Sequence, residues 1–97
     1  MARRLVRQFD PEQIILCGSH ARGTAGPDSD VDLMVVMPVK RSAKAATEIA
    51  MGVALHDVRV PKDIIIVTPD EIMEKRNITG TIIYPALREG QLLYVRG

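Results

Sequence analysis

Two aspartates, Asp30 and Asp32, stand two residues apart at the head of the apolar run Val31-Asp32-Leu33-Met34-Val35-Val36-Met37. If Asp30 to Met37 forms a strand, side-chain alternation sends both carboxylates to one face, while Val31, Leu33 and Val35 enter the other. The strand rise puts the two acids about 7 Å apart. Hard cations with oxygen ligands fit between carboxylates so placed. Paired Mg²⁺ ions roughly 4 Å apart, clamping a triphosphate and activating an incoming hydroxyl, are the chemistry this spacing serves. Two exposed acids at a loop–strand junction are the plainer reading, and an Asp-x-Asp alone does not decide between them.

A third acid, Asp63, opens the otherwise apolar run Ile64-Ile65-Ile66-Val67. A carboxylate there belongs on an edge or against a polar cavity. If this strand neighbours the one carrying Asp32, Asp63 completes a triad as general base and ligand of a second metal. If the strand begins only at Ile64, Asp63 is a solvated end residue.

Gly18-Ser19 follows the apolar segment Gln13-Ile14-Ile15-Leu16-Cys17. Free backbone N–H groups at such a turn suit a phosphate, and glycine permits close approach; an ordinary strand-to-helix turn is the alternative. Arg22 offers a guanidinium to phosphate oxygens or to one of the acids, or is simply a solvated arginine. His20 has no second His or Cys nearby with which to build a transition-metal site. Cys17 reads as a buried strand residue and not a nucleophile. Arg3, Arg4 and Arg7 read as a solvated helix face, with steering of a triphosphate or acidic partner as the weaker alternative.

The elements that must hold these groups alternate between strand-sized apolar runs and helical patterns, which predicts an α/β (α+β) fold with a mixed or parallel sheet. A helix over 2–8 ends at Asp10-Pro11. Strands follow at Gln13–Cys17, Asp30–Met37, Val60–Val67 and Gln91–Val95. Ser19 can cap a short helical turn over His20–Arg22, and Ser42 a helix from Ala43 to about His56, with Ala46, Ile49, Ala50 and Val53 on one apolar face. Thr68-Pro69-Asp70-Glu71 is a capping box with Pro at the first helical position, starting a helix to about Arg76. A further helix is expected over 81–88. The order is α-β-α-β-α-β-α-α-β.

Length and composition narrow the function. The 97 residues are one domain, 1–97, by length. A net charge of +1 provides no argument for nucleic-acid binding. With no Trp and three aromatics in all, a base-stacking platform is not expected. A lone cysteine excludes an internal disulfide and suits a reducing cytoplasm. No apolar run is long enough to span a bilayer, and the basic N-terminus lacks the apolar stretch of a signal peptide.

Taken together, the motifs resemble the nucleotidyltransferase superfamily related to DNA polymerase β, and within it the minimal, MNT or MntA-like branch. That superfamily's signature is a hydrophobic residue and Gly-[Gly/Ser], a spacer of about ten residues, then Asp-h-[Asp/Glu]-h. Here it reads Cys17-Gly18-Ser19 and Asp30-Val31-Asp32-Leu33. The minimal branch often has Gly-Ser-Arg-Ala-Arg-Gly where this chain has Gly18-Ser19-His20-Ala21-Arg22-Gly23. The segment around Asp63 and Val67-Thr68-Pro69-Asp70-Glu71, and the ending Leu87-Arg88-Glu89-Gly90-Gln91-Leu92-Leu93-Tyr94, are also similar to that branch.

The resemblance implies a small mixed sheet flanked by helices. It implies that Gly18 and Ser19 hold the triphosphate of ATP or another NTP, that Asp30 and Asp32 bind Mg²⁺, and that Asp63 completes the triad. Members commonly pair with a helical HEPN protein as antitoxin and toxin, and some adenylylate a tyrosine of that partner. His20 departs from the usual Arg; a mostly neutral side chain there is a weak phosphate ligand. Because a chain this short has no room for an acceptor-binding domain, the acceptor hydroxyl is expected on a second protein. The competing expectation is a non-catalytic module that neutralises or scaffolds a partner. Transfer to RNA ends or to a small molecule is a third, disfavoured by the near-neutral charge.

Overall fold

The computed structural model describes residues 2–18, 23, 26, 30–58, 60–75 and 90–96. The elements are α1 (Ala2–Phe9), β1 (Gln13–Cys17), β2 (Val31–Val36), a 3₁₀ turn (Arg41–Ala43), α2 (Lys44–Ala54), β3 (Lys62–Val67), α3 (Pro69–Lys75) and β4 (Gln91–Val95). Four strands form one sheet in the order β3-β2-β1-β4. β1 runs antiparallel to β2 and β4, whereas β2 and β3 are parallel, joined through α2. The sheet is therefore mixed and flanked by helices, as expected. The helices expected over 20–22 and 81–88 lie outside the described residues.

Local sequence accounts for most boundaries. α1 closes where Asp10 takes a left-handed φ of 49° and its N–H returns to the Val6 carbonyl at 3.0 Å. Pro11 then prevents continuation. The capping box at α3 forms in both directions: Glu71 N donates to Thr68 Oγ1 at 3.2 Å, and Thr68 N donates to Glu71 Oε1 at 3.2 Å. β2 is one residue shorter than expected at each end, so Asp30 immediately precedes the strand. β3 begins at Lys62, two residues later than expected, and Asp63 lies inside it.

The sheet buries a cluster on each face. One contains Leu5, Ile14, Val31, Leu33, Val35, Met51, Leu55 and Ile66, under α1 and α2. The other contains Ile15, Cys17, Met34, Val36 and Val67, with Ile72 of α3 packed against it.

Two expectations fail at α2. Ser42 does not cap it; Ser42 sits in the 3₁₀ turn, and the N-cap position is Ala43, with no side-chain bond. The face of Ala46, Ile49, Ala50 and Val53 points to solvent, and Met51 and Leu55 are the residues buried. Two polar side chains of the helix are engaged on its inner side, the first at β3, the end strand of the described sheet. Glu48 turns inward to accept from Ile66 N at 2.9 Å, and Lys44 turns inward to the Glu71 carboxylate at 2.8 Å. These polar anchors rotate the helix away from the orientation that apolar periodicity alone favours.

Candidate active site

The register of the parallel pair sets the site. Asp32 lies directly opposite Asp63 across β2 and β3, and Cys17 lies opposite Asp32 across β1 and β2. Cys17, Asp32 and Asp63 thus form a row across three neighbouring strands. Opposed residues share a sheet face and stand about 4.8 Å apart across each step. The burial alternation agrees. Val31, Leu33, Ile64 and Ile66 belong with the α1/α2 side, whereas Cys17, Met34, Ile65 and Val67 belong with the other. The two aspartates therefore share the face away from α1 and α2.

β1 ends against this row. Gly18 has a φ of 72°, and a β-carbon there would collide with Oδ2 of Asp32. Only glycine brings the chain this close to the carboxylate at that backbone angle. Asp32 is half-buried; Asp63 and Asp30 are exposed. Cys17 is 7% exposed, and its thiol is pushed above the ordinary cysteine range, first by burial and then by the negative charge of Asp32, with a backbone hydrogen bond to Met34 acting the other way. A neutral, buried thiol is no nucleophile at neutral pH. Its place at the end of the row is nonetheless something the strand pattern alone did not reveal.

Of the residues singled out by sequence, the structure therefore brings together Gly18, Asp32 and Asp63, with Asp30 one residue outside β2. Ser19, His20 and Arg22 lie outside the described residues. Among the described residues, no three acidic, His or Cys side chains stand close enough to hold a metal ion on their own. Two carboxylates on adjacent strands nonetheless suit Mg²⁺, which ordinarily takes one or two protein carboxylates and completes its shell with water and substrate phosphates. The arginines of α1 stand elsewhere. Leu5 of α1 is in the cluster on the opposite sheet face, and Arg4 is bound to Asp57 and to the Ala54 carbonyl.

A model of the family described as a nucleotidyltransferase domain matches residues 1–86. The chain belongs to this nucleotidyltransferase family. Solved structures agree on the fold. A protein from Sulfolobus solfataricus proposed to be a nucleotidyltransferase superposes with a TM-score of 0.64 at 19% identity, covering 98% of this chain and 74% of that one. A toxin–antitoxin structure with AMP-PNP superposes with a TM-score of 0.59 at 20% identity, covering 98% and 71%. None of the curated protein sequences matches the chain. Membership in the nucleotidyltransferase family implies transferase activity, a nucleoside triphosphate substrate and typically a divalent metal. Among the described residues, no helix is long and apolar enough to cross a membrane.

Proposed function

We propose that this chain, read as one domain over 1–97, transfers a nucleoside monophosphate, AMP from ATP, to an acceptor hydroxyl on a partner protein, with Asp30, Asp32 and Asp63 as the acidic set. The observation that carries the reading is the register placing Asp32 beside Asp63 on one sheet face, with the Gly18 bend closed against Asp32. Asp32 and Asp63 supply the oxygen ligands for Mg²⁺, and Asp30 adds a carboxylate at the head of β2. Bound Mg²⁺, two ions in this reading, supplies charge neutralisation for the triphosphate and for the attacking and leaving oxygens. Asp63, the more exposed of the pair, takes the proton of the acceptor hydroxyl. The acceptor oxygen then bonds to the α-phosphorus as the bond to pyrophosphate breaks. Ser19 and Arg22 join Gly18 as phosphate-holding residues on the sequence resemblance.

The partner is proposed to be a HEPN-type protein, with this chain as antitoxin, in the cytoplasm. The similarity to a toxin–antitoxin structure that holds a nucleotide analogue supports a partner-directed reading. The near-neutral net charge of +1 speaks against an RNA acceptor.

The test is Mg²⁺-dependent transfer from α-labelled ATP to the co-purified neighbouring gene product, read by intact mass. The native chain is expected to add one or more AMP units. Asp32→Asn and Asp63→Asn each lower the rate by at least about a hundredfold, since each removes a group engaged at the reacting atoms. Unchanged labelling by Asp32→Asn sinks the proposal. Silencing of the partner by a native chain that adds no AMP, retained in both Asn variants, establishes the non-catalytic module instead.

A further inference from the structure

Helix α1 gathers positive charge on the side of the sheet away from the aspartates. Arg3, Arg4 and Arg7 line a cleft of about 440 Å³ together with Gln8 and with Val58, which lies between α2 and β3. Arg4 is engaged by Asp57 and by the Ala54 carbonyl. Arg3 and Arg7 are exposed, and among the described residues neither side chain has an ion-pair or hydrogen-bond partner. The Lys62 ammonium reaches the same loop and donates to the Val58 and Val60 carbonyls at 2.9 and 3.3 Å, so it too is bound to neutral groups. In this patch four cations face the one carboxylate of Asp57, on a chain whose net charge is +1.

The fold alone does not call for such clustering. Arg3 and Arg4 stand in the first turn of α1 with no acid there, at the end where the helix dipole favours anions. Arg3 and Arg7 are four residues apart, a spacing at which like charges repel across one turn. A multiply charged anion in the cleft relieves both. Its chemistry is narrowed by shape. The row from Arg3 to Arg7 is about 6 Å long at the α-helical rise. A nucleic-acid strand is tracked by a longer basic groove with stacking aromatics, and the cleft is lined by no aromatic. Guanidinium forks match carboxylates, and Arg4 already holds one, that of Asp57.

Position connects the cleft with transfer. Val58 and Asp63 are five residues apart, which places them within about 18 Å of each other. β3 is the end strand of the described sheet, so the path between them passes round one strand. An extended peptide of about six residues covers it. We propose that Arg3 and Arg7, beside Arg4, dock an acidic segment of the acceptor protein, about six residues along its chain from the hydroxyl that receives the nucleotide. This rests on the reading of Asp32 and Asp63 as the transfer site and names the chemistry of the partner presented to it.

Titration of the purified full chain with a fluorescein-labelled hexaglutamate peptide, read by anisotropy at about 20 mM salt where screening is weak, tests the cleft without any turnover. Saturable binding is expected, weakened at least about tenfold when Arg3→Glu and Arg7→Glu are combined. Lys40→Glu with Arg41→Glu, the same change of charge elsewhere, is expected to leave it within about twofold. In AMP transfer to the neighbouring gene product, the Arg3→Glu/Arg7→Glu chain is expected to raise KM at least about tenfold with kcat unchanged, the mark of lost binding outside the reacting atoms. Equal weakening by the two charge reversals overturns the proposal. So does tighter binding of a decauridine RNA through the same arginines, which assigns the cleft to nucleic acid. Transfer by the native chain with KM and peptide binding both indifferent to Arg3→Glu/Arg7→Glu sinks the docking cleft and leaves the transfer reading standing. A native chain that transfers nothing sinks the transfer reading, and the peptide titration then decides the cleft by itself. Circular dichroism confirms that the variants, all at exposed or partly exposed positions, retain the native fold.

Discussion

Gly18 and Asp32 are coupled by space as much as by chemistry. The left-handed φ at Gly18 and the approach of Asp32 Oδ2 leave no room for a side chain. Gly18→Ala is expected to cost about 1 kcal/mol or more in stability from backbone strain. It should also push the Asp32 carboxylate out of the row, so that transfer activity falls further than the stability loss explains. Thermal unfolding and initial rates on one sample separate the two effects. Cys17 yields a second expectation at this scale. Burial and the nearby Asp32 charge keep its thiol protonated, so native protein at neutral pH should react with a thiol reagent far more slowly than unfolded protein. The raised value also means that stability linked to Cys17 is fully present below the ordinary thiol value and is lost as pH rises from there through the raised folded value. The acid and glycine types were readable from sequence because metal and phosphate chemistry demand them. The contact of Gly18 with Asp32 was not readable, since it depends on which strand lies beside β1.

Helix α3 shows how much of an element local sequence can specify. Its capping box, its proline at the first position and its acidic first turn are all nearest-neighbour chemistry, and the element forms where they stand. Thr68→Ala should cost about 1 kcal/mol, measurable by denaturant unfolding. Glu71 has a second task, since it accepts both a cap bond and the Lys44 ammonium. The Lys44 bond, assisted by Thr68 and opposed by burial, holds the Glu71 carboxyl below its ordinary range. The stability it confers is therefore present above the unfolded value and lost as pH falls through the folded one. Glu71→Gln should be less stable than the native chain at pH 7, and the gap should narrow below about pH 4, near the ordinary glutamate value. A gap that stays constant with pH would show that the ion pair contributes nothing. α2 is the contrasting case. Its apolar periodicity is a property of the helix alone, but which side faces the sheet is settled by Glu48 and Lys44 reaching partners on β3 and α3, 18 and 27 residues away.

At the scale of the molecule, the larger core lies on one face of the sheet, and the aspartate row lies on the other beside the smaller cluster under α3. One face carries α1, α2 and the cluster containing Leu5, Met51 and Leu55, all fully buried. The other carries the aspartate row. Met51→Ala should cost about 2–5 kcal/mol by leaving a cavity under α2, with little effect on nucleotide affinity in samples that remain folded. Asp63→Asn should do the opposite, sparing the melting temperature because Asp63 is exposed. The two variants together test whether the faces act independently.

The sequence by itself determined the residue chemistry: two acids in Asp-x-Asp spacing, a glycine bend after an apolar strand, a third acid at a strand's head, and a capping box. These follow from local rules of alternation, turn geometry and ligand type, which need no knowledge of neighbours. Only the tertiary structure decided that β2 and β3 run parallel in the register that sets Asp32 beside Asp63, and that α2 turns its uncharged side outward. Pairing and helix rotation are fixed by contacts between segments far apart in the chain, and their energies appear only once the chain is folded.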